Sequence, residues 1–247
     1  MTGRTINISK SIEDLSRKAA ELFTVEAGTA IAARGVFSVA ISGGSTPAPF
    51  YSLLSSEYYR ARIDWKRIHF FWTDERCVAK DHPDSNFGMA FNMLLSKVPV
   101  PDANIHRIPG ELDPEEAASA YDRDLRTFFG NGTLPRFDLV YLGVGMDGHT
   151  ASIFPGEKPV SDISETAVPV YVEKLGSHRI SLTIPVLNNA AAVVFLVTGK
   201  SKAGIVRDII EVKKPELPAA WVIPANGKSI WLLDLDAAGL LADSAAT

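Results

Sequence analysis

Cysteine is nearly missing from this chain of 247 residues, with Cys77 standing alone. That excludes a disulfide framework and a cysteine-based zinc site. An excess of basic charge is missing too: 25 Lys and Arg face 29 Asp and Glu, for a formal net charge of −4. Broad nucleic-acid binding needs a basic surface to neutralise phosphates, so that class is set aside, while a local anion pocket stays open. No apolar run approaches the roughly 18 residues that a membrane-spanning helix requires. The opening stretch MTGRTINISKSIEDL has no apolar core and no small-residue cleavage site, so no secretory leader is expected and a cytoplasmic location is. Repeats and low-complexity linkers are also missing. The loosest stretches, Asn131-Gly132 and residues 157–165, are too short to separate domains, so residues 1–247 are read as one domain. What is present is an ordinary globular composition, 46% hydrophobic and 22% charged. At this length it can bury a sizeable core without staples.

Strand-like and helix-like segments alternate along most of the chain. Thr5 to Ile8, Phe37 to Ile41, Ile68 to Trp72, Phe137 to Leu142, Val168 to Val172, Arg179 to Ile184, Ala192 to Val197 and Ile230 to Leu233 read as strands. Between the first two, Leu15, Ala19, Leu22, Phe23, Ala27, Ala30 and Ile31 recur at helical spacing, with Ser9 or Ser11 as cap and Gly35 as stop. Further helices are predicted over Asn86 to Leu95, Pro114 to Phe129 and Lys202 to Val212, with a short helical tail at the end. Several strands are continuous apolar runs, as expected where both sheet faces are covered. The fold class is α/β: one Rossmann-like, mostly parallel sheet flanked by helices, with a few extra strands in the C-terminal half. Ligands of such sheets bind beyond the carboxyl ends of the strands, and three loops there carry chemistry.

The first is SGGSTP, Ser42 to Pro47. Gly43 and Gly44 allow close approach and positive φ, Ser45 and Thr46 add hydroxyl donors, and free amides at a helix start attract anions. The same turn also fits a simple capped helix start. Ala40-Ile41-Ser42-Gly43-Gly44 further allows a degenerate nucleophile elbow, with Ser42 as a hydrolase nucleophile. The second loop, Trp72 to Gly88, contains Asp74-Glu75-Arg76 at a strand end. Carboxylates accept sugar hydroxyls, and an arginine forks onto phosphate or carboxylate. The third, LGVGMDGHTASIFPG, spells G-x-G-x-x-G through Gly143, Gly145 and Gly148. A dinucleotide fingerprint needs a long helix after it, whereas Phe154-Pro155-Gly156 stops any helix early, and the Asp147 charge would repel a pyrophosphate. The glycines instead make room for Asp147 and His149. Histidine titrates near neutrality and can take and return a proton, with a neighbouring carboxylate to orient it. Arg179, beside His178, and Lys202 are candidate cations for an anionic substrate. His69 and His106 read as packing or surface residues, and His82 as exposed.

Taken together, SGGSTP, FFWTDERCV with DHPDSNFG, FDLVYLGVGMDGHTASIFPG and RISLTIPVLNNAAAVVFLVTGKSKA resemble the 6-phosphogluconolactonase family, in the family's order and from about Phe37 to Leu233. The resemblance implies a single α/β domain shared with glucosamine-6-phosphate deaminases. It implies hydrolysis of 6-phospho-D-glucono-1,5-lactone to 6-phosphogluconate in the oxidative pentose phosphate pathway, without metal or other cofactor. His149 would be the general base and Asp147 its positioning partner. Gly43, Gly44, Ser45 and Thr46 would bind the 6-phosphate. Asp74 would line the substrate site, and Arg76, Arg179 and Lys202 would neutralise the phosphate or the oxyanion. Deaminases follow the histidine with Phe-Asn-Glu-Pro; here Ser152-Ile153-Phe154-Pro155 carries no carboxylate. A sugar-phosphate sensor would be expected to carry a DNA-binding module, for which this chain has no room. The expected partner is a small sugar-phosphate lactone, with no nucleic acid or membrane, acting on a monomer or homodimer.

Overall fold

The computed structural model describes residues 3–156 and 165–242. The loose stretch read at 157–165 lies, apart from Glu165, outside the described residues. Seven parallel strands form the main sheet: β1 (Arg4–Ser9), β2 (Phe37–Ile41), β3 (Ile68–Trp72), β5 (Ile105–His106), β6 (Leu139–Leu142), β9 (Ala192–Val197) and β10 (Lys228–Asp234). Their order is β1-β10-β9-β6-β2-β3-β5, and every pairing is parallel. A second sheet sets β4 (Asp74–Arg76), β8 (Ser177–Leu182) and β7 (Ala167–Val172) in antiparallel order β4-β8-β7. The central strands β2, β6 and β9 are buried at every residue, which is why they read as unbroken apolar runs.

The helices cover the sheet as their patterning requires. The long α1 (Ile12–Arg34) starts at Ser11, whose hydroxyl accepts from the Asp14 amide at 3.3 Å, and stops at Gly35 with φ 77°. Its Phe23 meets Phe37 edge-on at 5.4 Å and stacks near Phe70 at 6.1 Å, joining α1 to β2 and β3. After α2 (Ala48–Leu54), α3 (Glu57–Arg60) and α4 (Asn86–Met93), the predicted α5 (Pro114–Phe129) forms over the expected span, capped by Asp113. The remaining helices are short: α6 (Ile184–Asn188), α7 (Ala203–Arg207), α8 (Pro218–Trp221) and the terminal α9 (Leu235–Ala238). The helix expected over Lys202 to Val212 is divided, because α7 widens into a π-helical turn at Asp208–Val212 that ends on Lys213 with φ 58°.

Two stretches differ from the sequence reading. The first part of the Trp72–Gly88 segment is not loop but β4, and the strand read at Arg179 to Ile184 is shifted to Ser177–Leu182, which takes His178 into β8 and leaves Ile184 to open α6. Asp-Glu-Arg has no apolar alternation to announce a strand. Its extended form comes from pairing with β8, more than a hundred residues away in sequence. The two sheets meet at Thr73, which donates its amide to Ile41 O (2.9 Å) on one side and accepts from the Leu182 amide (2.8 Å) on the other. His69 and His106 do pack within the sheet. Their rings share a 2.9 Å contact, His106 lies flat on Phe71 at 4.2 Å, and His106 Nδ1 sits 3.0 Å from Asp124.

Because β5 has only two residues, the backbone of Trp72 runs past its end. The Tyr121 hydroxyl, fully buried, fills the gap by accepting from the Trp72 amide at 2.9 Å and donating to the Trp72 carbonyl at 2.8 Å. Tyr121→Phe strands both groups away from water and should lower stability by about 1–3 kcal/mol in urea unfolding. A change within about 0.5 kcal/mol, the range of neutral surface substitutions, would contradict this role for the hydroxyl.

Candidate active site

The strand order places the ends of β9, β6, β2 and β3 side by side, so the loops leaving them converge. Between those loops and the small sheet lies a cleft of about 520 Å³. Gly43, Gly44, Ser45 and Thr46 line one side. Asp147, His149 and Lys202 line another, and Asp74, Arg76 and Arg179 come from the small sheet. Ser42 also borders the cleft, but no hydrogen bond joins it to a histidine among the described residues, and its carbonyl is held by Tyr51 Oη at 2.6 Å. The elbow reading therefore lacks its base.

No helix follows Gly143, Gly145 and Gly148 within the described residues up to Gly156, which removes the dinucleotide reading. The glycines make room for the Asp147–His149 pair. A Cβ on Gly145 would stand 2.0 Å from His149 Nδ1 and 2.6 Å from Asp147 Oδ1, and Gly148 turns with φ 85°. Asp147 Oδ1 sits 2.5 Å from His149 Nδ1 and also accepts the His149 amide at 3.2 Å. A carboxylate there fixes the proton on Nδ1 and leaves Nε2 as the basic nitrogen. Burial lowers the His149 pKa below its ordinary value, against the opposing pull of Asp147. Burial acts to raise Asp147, but hydrogen bonds from Lys174 and His149 overcome it and hold the carboxyl well below its usual range. Phe154 supports the histidine ring at 4.4 Å.

Asp74 joins the three loops. It is buried, and its carboxylate accepts from Ser152 Oγ at 2.7 Å, Thr73 Oγ1 at 3.3 Å and Asn86 Nδ2 at 3.4 Å. Asn86 in turn explains Gly43, where a Cβ would collide with Asn86 Oδ1 at 1.7 Å. Only Gly44 of the pair has positive φ, at 103°. Among the described residues, no protein acceptor takes the amides of Gly43, Gly44, Ser45 or Thr46. Ser152 is presented by a tight turn in which Ala151 adopts φ 47°, a conformation that costs energy in a residue with a Cβ. Glu75, by contrast, turns away from the cleft. It accepts the amides of Arg76, Asn86 and Phe87 at 2.7–2.8 Å and the Ser85 hydroxyl at 3.1 Å, anchoring the start of α4. Burial nevertheless pushes its carboxyl pKa up, against those hydrogen bonds.

Arg76 and Arg179 are directly opposed across β4 and β8. Like charges in that register repel, and the buried Nε of each has no hydrogen-bond partner. Burial, then the charge of Arg76, lowers the Arg179 pKa. The pair is therefore suited to a shared anion. Lys202 donates to Val144 O at 2.8 Å, and burial lowers its pKa against the pull of Asp147. Sequence reasoning missed Lys174, which lines the cleft and pairs with Asp147 Oδ2, and it took Asn86 only as a helix start. Nothing in Val-Glu-Lys-Leu-Gly aims an ammonium group; the β7–β8 hairpin does that. Among the described residues, no cluster of three or more His, Cys, Asp and Glu side chains is arranged to hold a metal ion. No helix among them is long and apolar enough to cross a membrane.

A parallel α/β sheet with a carboxylate-held histidine facing a cationic cleft can offer a base and a positive field to an anionic small molecule. Residues 10–231 match the family described as glucosamine-6-phosphate isomerases/6-phosphogluconolactonase. A 6-phosphogluconolactonase from Synechocystis sp. is 43% identical, over 93% of this chain and 94% of the relative. One from Rattus norvegicus is 38% identical, over 96% and 93%. The crystal structure of a 6-phosphogluconolactonase from Thermotoga maritima superposes with a TM-score of 0.83 at 30% identity, covering 94% of this chain and all of that one. The chain belongs to the glucosamine-6-phosphate isomerase/6-phosphogluconolactonase family.

The contact of Gly145 with the pair yields a direct check. Gly145→Ala should leave the far-UV circular dichroism unchanged but separate His149 from Asp147, abolishing the hydrogen-bonded Nδ1–H proton signal of His149 in NMR. Persistence of that signal in the folded variant would remove the reason given for this glycine.

Proposed function

We propose that the protein hydrolyses 6-phospho-D-glucono-1,5-lactone to 6-phosphogluconate, with His149 as general base. The observation that carries this reading is the Asp147-held His149, whose Nε2 is the nitrogen left to act in a cleft shared with the Arg76–Arg179 pair. Relatives named 6-phosphogluconolactonase that match nearly end to end support the choice of substrate. In this reading the Gly43–Thr46 segment and the two arginines take the 6-phosphate, and Asp74 faces the sugar hydroxyls. His149 Nε2 draws a proton from water as the water oxygen bonds to C1. The resulting oxyanion lies near cationic side chains, Lys202 among them. Its collapse breaks the bond from C1 to the ring oxygen, and the imidazolium returns its proton to that oxygen. The new carboxylic acid then ionises. The ester is activated already, so a positioned base that contributes about 10²–10⁴-fold, with further help from binding the remote phosphate, suffices without a cofactor. The enzyme would act in the cytoplasm as a single domain, monomeric or homodimeric.

The deciding experiment follows fresh lactone with a coupled 6-phosphogluconate dehydrogenase, against spontaneous hydrolysis and with chelator present. Acceleration that survives chelation is expected. None from folded protein would overturn the reading, and release of ammonia from glucosamine 6-phosphate would replace it with deaminase chemistry. His149→Ala should lose at least about 10²-fold in turnover while still binding product; turnover within about threefold of wild type would exclude His149 as base. Because the base stays neutral below its ordinary pKa, the acid limb of kcat/KM should have its midpoint below about 6.5, and activity should fall only as pH drops through it.

Arg76→Ala should raise KM for the phosphorylated lactone about tenfold or more, the worth of one charge-assisted hydrogen bond, and leave plain gluconolactone little changed. An equal loss with both substrates would take Arg76 out of phosphate recognition.

A further inference from the structure

The ion pair between Lys174 and Asp147 has a consequence for the base that lies on the far side of the same carboxylate. Asp147 divides its two oxygens, with Oδ1 on His149 Nδ1 and Oδ2 on Lys174 Nζ. Lys174 reaches this position from the turn Glu173–Leu175 between β7 and β8, where Gly176 closes the turn with φ 57°. Its Nζ also sits 4.6 Å from the centre of the Phe154 ring, a favourable placement for a cation over an aromatic face. The same ring supports His149 at 4.4 Å and lies 5.7 Å from the Arg179 guanidinium carbon. Lys174 is thus tethered twice, although its side chain is 54% exposed. An ion pair so exposed contributes little to stability, so the reason for holding it lies elsewhere.

We propose that Lys174 is a positioning residue for the lactonase reaction: by drawing off half of the Asp147 carboxylate it keeps the His149 imidazole neutral, and so able to accept a proton, in mildly acidic solution. The inference rests on the reading of His149 as general base. The electrostatic logic is a balance of signs. Asp147 alone would stabilise the imidazolium and make His149 protonated before water arrives, which disables a base. Asp74, from β4, pulls the same way. Lys174 opposes both, as burial does. Arg179 on β8 and Lys202 after β9 line the same cleft and add positive charge at longer range. Asp147 can therefore orient the ring and fix its tautomer without also holding it in the protonated form.

The test compares wild type with Lys174→Met and Lys174→Arg. It uses NMR titration of the His149 ring, identified among the five histidines by the signal lost in His149→Gln, and pH profiles of kcat and KM. Removing the ammonium should raise the His149 midpoint and move the acid limb of kcat/KM upward together, by about 0.5–1 pH unit, as expected for a charge acting through one intervening group. Lys174→Arg should restore both. An unmoved titration in folded Lys174→Met overturns the proposal. So does a rise in KM with the acid limb unchanged, which would make Lys174 a substrate contact instead. If wild type showed no lactonase activity, the function reading would fall, yet the titration would still report whether Lys174 governs His149.

Discussion

A buried carboxylate holds the working parts of this molecule together. Asp74 is almost out of contact with water, and an ionised acid there is tolerable only because donors surround it. Those donors come from different loops: Ser152 from the turn after His149, Asn86 from the start of α4, and Thr73 from the seam between the sheets. Asn86 in turn presses against Gly43. Three loops far apart in sequence are thereby held in register by one negative charge. Removing any donor leaves the charge less satisfied, so the loops are coupled by the cost of an unpaired buried ion rather than by apolar packing alone.

Around that centre, the two sheets divide the labour. The main sheet supplies Asp147, His149 and Lys202 from strand ends, while the small sheet supplies Arg76 and Arg179 from within strands and Lys174 from its hairpin. Phe154 lies where these contributions meet, in contact with His149, Lys174 and Arg179. Its aromatic face lets cations gather close to a histidine without a hydrogen bond to it.

Much of this was legible in the sequence, for identifiable reasons. Strands buried on both faces leave continuous apolar runs, and α1 carries its own cap and stop, so β2, β9 and α1 could be read locally. The close spacing of Gly145, Asp147 and His149 also encodes a local geometry, which is why that pair was found. What escaped depended on distant pairing. Asp74-Glu75-Arg76 looks like a polar turn until β8 is beside it, and Glu75 then proves to anchor α4 rather than face a ligand. Lys174 escaped altogether, since a lysine in a hairpin turn is ordinarily idle and only the fold brings it to Asp147.

The opposition of Arg76 and Arg179 has a further meaning in the language of strand register. Side chains alternate between faces along a strand, so a slip of one residue between β4 and β8 sends an arginine to the opposite face. The cationic wall is therefore encoded by alignment as much as by residue identity. A single-residue insertion or deletion within β4 or β8 threatens it more than many substitutions do. The register that sets Arg76 opposite Arg179 shapes the cleft wall as surely as the arginines themselves.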